Sequence, residues 1–163
     1  MGTKLMHRNE RGFTLIELLI AIALAGLVTA GITYAINQLL TINTRASNHM
    51  VCVRQVQQAG KEVSKDALQA QQVTYTGSPF HLNLTWTDWG GLVNNITYTI
   101  NGTQLLRSEG GDSRVIAEYI DSDRTKCEPV GTLQGGGTLA FTVTAAVGTE
   151  SETRIYEVEP RPG

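Results

Sequence analysis

From Phe13 to Ile36 apolar residues predominate, and no charged side chain occurs between Leu18 and Thr44. A bilayer-spanning helix needs about 20 such residues at about 1.5 Å rise each, so the run predicts a transmembrane segment. Beyond it the pattern becomes amphipathic. Leu39, Ile42, Ala46, Met50, Val53, Val56, Gly60, Val63, Ala67 and Ala70 recur at steps of three and four, one apolar stripe of a helix. Arg45, Arg54, Lys61, Glu62, Lys65 and Asp66 take polar positions around it. No proline falls between Phe13 and Ser78. The expectation is one helix from Phe13 to about Gln72, with Gly60 the point of any bend and Met50, Val53 and Val56 in the core.

After Gly77-Ser78-Pro79 the period changes to two. Residues 80–86 and 96–100 alternate apolar and polar as half-buried strands do. Asn101-Gly102 signals a type I′ hairpin turn, because both central residues then need positive φ. Residues 103–108 form the return strand, Gly110-Gly111 breaks it, and 114–120 is the next strand. A final pair, 139–147 and 153–158, joins across residues 148–151. Five to seven antiparallel strands follow a helix, so the fold class is α+β, with one sheet face covering the helix stripe. The organisation expected is 1–12 a leader, 13–36 the membrane helix, 37–73 its amphipathic continuation, and 74–163 an antiparallel β head.

Charge then sets the direction of the chain. Lys4, Arg8 and Arg11 precede the apolar run against a single Glu10. By the positive-inside rule the N-terminus stays cytoplasmic and the remainder is translocated. The formal net charge of −2 gives no basic excess for nucleic acid, and no nucleic-acid partner is expected. Two cysteines, Cys52 and Cys127, stand far apart in sequence. In an extracytoplasmic domain a disulfide between them is allowed; the alternative is two buried thiols.

One residue resists the anchor reading. Glu17 places a carboxylate in the apolar run, where a charge costs about 2.5–3.5 kcal/mol and usually marks function. A signal peptide does not fit, since its apolar core spans about 7–15 residues with a small-residue cleavage site behind it. Cleavage between Gly12 and Phe13 does explain the acid. A new α-amine then appears four residues before Glu17, on the same helix face. Glu17 can pair with that amine, its own or a neighbouring copy's, and fix axial register.

Gly12-Phe13-Thr14-Leu15-Ile16-Glu17-Leu18-Leu19-Ile20 resembles the processing motif of bacterial type IV prepilins and type II secretion pseudopilins. The likeness covers about thirty residues, from the basic leader through the apolar helix. It implies that a prepilin peptidase cuts after Gly12 and methylates Phe13, that Glu17 is the assembly acid, and that the fold is pilin-like. The mature chain would lose a leader of charge +2, taking −2 to −4. Many major pilins carry a proline within this helix; here Gly26 and Gly31 are the only weak points, read either as sites where the helix melts on assembly or, the favoured reading, as sites of close helix packing. Residues 96–120 are similar to the J-type minor pseudopilins and related minor pilins, through Tyr98, Asn101, Gly102, Leu105, Leu106, Arg107, Gly110 and Gly111.

The head offers no catalytic constellation. His7, His49 and His81 lack partners at a telling spacing, and Gly135-Gly136-Gly137 lacks the Lys of a phosphate loop. Asp121, Asp123 and Glu128 are the cation candidates, although their spacing is not an EF-hand's. Trp86 continues a strand into the core; Trp89, beside Gly90-Gly91, is placed at an exposed loop tip. The Asn-x-Thr triplets at Asn83, Asn95 and Asn101 read as ordinary β-sheet residues. No enzyme activity and no cofactor are expected.

The expected function is a structural subunit of a type IV pilus or a pilus-like secretion or competence pseudopilus, a minor subunit rather than the bulk one. Its implied partners are other pilins through the helix, the peptidase, an inner-membrane assembly platform, and lipid before assembly. The implied location is the bacterial inner membrane, then an extracytoplasmic fibre. The alternatives are a major pilin, or a tip binding module acting as adhesin or DNA receptor.

Overall fold

The structure, a computed structural model, describes residues 13–134 and 137–162. Helix α1 runs Leu15–Ala67. Nine strands follow among the described residues: β1 Gln72–Thr76, β2 His81–Thr87, β3 Val93–Asn101, β4 Gln104–Glu109, β5 Asp112–Ala117, β6 Lys126–Glu128, β7 Gly131–Gln134, β8 Leu139–Val147 and β9 Glu150–Val158. The chain divides into two compact units, residues 1–43 and 44–163. In the first, every described residue is exposed.

The second unit is an α+β head in which antiparallel sheets pack on residues 44–67 of α1. The strands form a six-stranded sheet, β5-β4-β3-β2-β1-β7, and a three-stranded sheet, β6-β8-β9. Cys52, Val56, Ala59, Val63 and Ala67 bury the helix face completely. Leu82, Leu84, Ile96, Tyr98 and Leu105 meet them from the large sheet, and Leu139, Phe141, Val143 and Ala145 from the small one. Each large apolar side chain taken fully out of water contributes about 1.5–3 kcal/mol, so this layer holds the head together. Along β1 and β2 the inward positions are buried or half-buried and the outward ones polar, the alternation a one-sided sheet requires.

The helix face differs in phase from the expected stripe. Met50 is 65% exposed, because it lies about 200° of rotation from Cys52. Val53 is half-buried, and only Val56 of that trio is in the core. Asp66, expected on the polar side, is 4% exposed. α1 runs unbroken through Gly60, whose missing side chain admits the ring of Tyr156; a Cβ there would overlap that ring. The helix also ends five residues early. Val73-Thr74-Tyr75-Thr76 is β-branched and aromatic, which suits a pleated strand, and β1 pairs with both β2 and β7.

The remaining corrections are local. Asn101 pairs with Gln104, so Gly102 and Thr103 are the central turn residues. Only Gly102 has positive φ (60°), as in a type II′ turn. The I′ geometry occurs instead at Gly110-Gly111, with φ of 60° and 99°. β9 begins at Glu150, opposite Val147, so its hairpin turn is two residues and not four.

Candidate processing and assembly site

The N-terminal end of α1 is built by its own sequence. Thr14 precedes the helix and accepts the backbone N–H of Leu18 at its carbonyl, 3.2 Å, the first α-helical bond. Its hydroxyl oxygen accepts the N–H of Glu17 at 3.3 Å. Thr14 is therefore the N-cap and Glu17 the third helical residue, the spacing of a capping box. An acid in the first turn also meets the positive end of the helix dipole. Phe13 stands outside the helix, 80% exposed. Glu17 is exposed and makes no ion pair among the described residues. Gly12, Lys4, His7, Arg8, Glu10 and Arg11 lie outside the described residues.

Along the following run Leu15, Ile16, Leu19, Ile22, Leu24 and Leu27 are each more than half exposed. α1 is long and apolar enough to cross a membrane, and none of that stretch is buried within the chain. Its polar side chains are satisfied internally. Thr29, Thr33 and Thr41 donate to the carbonyls of Ala25, Thr29 and Asn37 at 2.8–2.9 Å, and Asn37 donates to that of Thr33 at 3.0 Å. A hydrocarbon or protein surround offers no water, so these bonds let a Thr/Asn ladder sit in an apolar helix. The sequence reading missed that ladder, although its four-residue spacing is visible. Beyond the local helix backbone, no described part of the chain packs against Gly26 or Gly31, leaving both open to another helix.

In the head, Asp66 forms the principal polar contact. Its Oδ2 accepts from Tyr98 Oη at 2.6 Å and from Arg107 Nε at 2.7 Å. Arg107 also reaches Glu109 at 2.6 Å. Burial, reinforced by the Asp66 carboxylate, pushes the Tyr98 hydroxyl far above its usual range. The hydrogen bond that Arg107 donates to Asp66 raises the guanidinium further, against its own desolvation. Tyr98 and Arg107 face each other across β3 and β4, so the residues of the minor-pilin likeness hold the sheet to α1. The signal was available: an Arg inward on an alternating strand demands a buried acid.

Of the two readings open for the cysteines, the structure has the buried thiols, and its geometry leaves no room for the disulfide. Both thiols are free and buried. Cys127 pairs across the sheet with Phe141, whereas Cys52 Sγ lies 3.6 Å from the Glu150 carbonyl, beside Val147. Phe141 and Val147 are about 20 Å apart along β8, and a disulfide needs Cα atoms within about 7 Å. Two of the three cation candidates, Asp121 and Glu128, are engaged by other groups. Asp121 accepts the backbone N–H groups of Asp123 and Arg124 and pairs with the Arg124 side chain at 2.8 Å. Glu128 pairs with Lys126 at 2.7 Å. Among the described residues no cluster of three metal-ligating side chains forms. Trp86 is half-buried against the core, and Trp89 is fully exposed.

No curated protein and no solved structure matches the chain. A family model does: the prokaryotic N-terminal methylation motif matches residues 7–33. That stretch contains the capped helix start, Glu17 and the first half of the exposed apolar run. The chain thus carries, ahead of an α+β head, the N-terminal signature of the type IV pilin and pseudopilin family.

Proposed function

We propose that the protein is a minor structural subunit of a type IV pilus or a related pseudopilus. The observation carrying this reading is the methylation motif at the start of an apolar helix whose surface the chain itself leaves uncovered. The precursor sits in the inner membrane with its N-terminus cytoplasmic and its head outside. Prepilin peptidase removes residues 1–12 after Gly12 and methylates Phe13. The helix then leaves lipid for a bundle of like helices on the assembly platform, where Gly26 and Gly31 permit close approach.

Glu17 is the register device in this scheme. A carboxylate entering a bundle needs a partner, and the new α-amine of Phe13 lies one turn away. Repeated between copies, the pair fixes axial position. The likeness of residues 96–120 to J-type subunits favours the minor role.

Two variants in the producing cell test the reading. Gly12→Ala should accumulate as precursor, and a mature band of normal size would remove the cleavage assignment. Glu17→Val should insert into the membrane normally and be depleted from sheared fibres. Incorporation at the wild-type level would remove the register role.

A further inference from the structure

Within its strands, and among the described residues, the outward face of the six-stranded sheet carries no carboxylate, ammonium or guanidinium group; His81 is its one imidazole, and the Glu118 carboxylate just past β5 accepts from Gln104 at 3.4 Å at one corner. Strand register aligns Thr132, Thr74, Asn83, Thr97, Ser108 and Ser113 in one row across all six strands. With neighbouring strands about 4.8 Å apart, the row is about 24 Å long. Flanking rows add Gln72, Thr85 and Asn95 on one side and Thr76, His81 and Thr99 on the other. The side chains bond laterally: Thr74 to Thr132 at 3.4 Å, Asn83 to Asn95 at 2.9 Å, Ser108 to Ser113 at 3.0 Å. Apolar side chains on this face are confined to its ends, Val93 at one and Leu106 with Val115 at another.

Threonine alone would reflect strand propensity, but asparagine is depleted in strands. Here Asn83, opposite Thr97, and Asn95, opposite Thr85, are diagonal neighbours at its centre. Solvent-facing surfaces ordinarily mix in charges of both signs. The three central rows of this one hold no acid, lysine or arginine among the described residues, although 17% of the chain is charged.

We infer that this face binds a neutral polysaccharide. A protein partner would need an apolar centre to bury, and a nucleic acid would need cations for its phosphates; the face offers neither. Hydroxyls and carboxamides present donor and acceptor together, as the hydroxyls of a sugar do. The Asn83–Asn95 bond uses one donor and one acceptor. Asn83 Oδ1 and the Asn95 amide hydrogens are left for a pair of adjacent sugar hydroxyls. The inference rests on the sheet face alone and does not depend on the pilus reading.

The test uses the full chain in a detergent without a sugar headgroup. It measures retention on microcrystalline cellulose, cross-linked dextran and agarose, with immobilised double-stranded DNA as comparison. The wild type should be retained on at least one glycan, independently of added salt. Thr97→Val removes one central hydroxyl while keeping the β-branched shape, and should weaken retention about threefold to tenfold. Asn83→Lys/Thr97→Lys should weaken it about tenfold or more, with Trp89→Ala unchanged. No retention on any of the three glycans overturns the inference. So does undiminished retention of the double-lysine variant, or a preference for DNA that salt abolishes.

Discussion

Replacing Arg107 by methionine should be among the most damaging single changes in the head. Arg107 and Asp66 meet at 2.7 Å with side chains only 11% and 5% exposed. Methionine keeps most of the apolar stem and removes the charge. Asp66 would then keep Tyr98 as a donor but lose its counter-ion inside the core. Breaking one side of a buried pair costs about 3–5 kcal/mol; with Tyr98 still bonded at 2.6 Å, the lower end applies, about 3 kcal/mol. For a head of this size each kcal/mol moves the midpoint by about 3–5 °C, so a fall of roughly 10–15 °C is expected. The assay is thermal unfolding of the full chain in detergent, followed by near-UV circular dichroism. Asp66→Leu/Tyr98→Phe/Arg107→Met removes every orphaned polar group and should recover most of the loss, since apolar replacements of buried pairs are often neutral. A single variant within about 1 kcal/mol of wild type would refute the reasoning, because the pair would then not be buried as described.

Three further outcomes follow from the same geometry. Both cysteines should stay unreactive to a thiol reagent in the native chain and both react after denaturation; a disulfide-linked peptide containing Cys52 and Cys127 would contradict the free thiols. Gly60→Ala should cost about 1–3 kcal/mol by overpacking against Tyr156, and should be neutral in a Tyr156→Ala background; a stabilised single variant would mean that helix propensity outweighs that contact. Burial raises the Cys127 thiol, so the unfolded state ionises first. Stability is full below about pH 8.5 and falls above it by about 1.4 kcal/mol per pH unit, with Tyr98 adding to the fall from about pH 10. Cys127→Ala should flatten the first part of that decline in urea titrations.

How far the sequence could be read depends on how local each signal is. The long apolar helix was legible because a 27-residue stretch without charge admits few structures. β8 was placed to the residue by its alternation, and β2 to within one. β1 was left unassigned because Ala70 continues the three-and-four spacing past Ala67 and carries the expected helix to about Gln72, and the few residues left before Gly77 are too short a run to stand out as a strand. β6 and β7 span three and four residues, too short to show a period. Asp66 looked like a solvated helix residue because nothing near it in sequence reveals Arg107 or Tyr98. Met50 was assigned to the core from its spacing alone, but the sheet sets the phase of the helix face. The choice between a disulfide and two thiols stayed open in the sequence for the same reason, since only the fold shows that Cys52 and Cys127 are held by different ends of the β8–β9 hairpin.

The measurement that bears most directly on the central claim is the intact mass and N-terminal sequence of the chain purified from its own membranes. The account predicts a protein beginning at Phe13, heavier than the unmodified polypeptide by one methyl group, and a full-length precursor when the peptidase is deleted. A mature chain that keeps residues 1–12, or that begins after Ala23 or Ala25 as a cleaved signal sequence would, contradicts it.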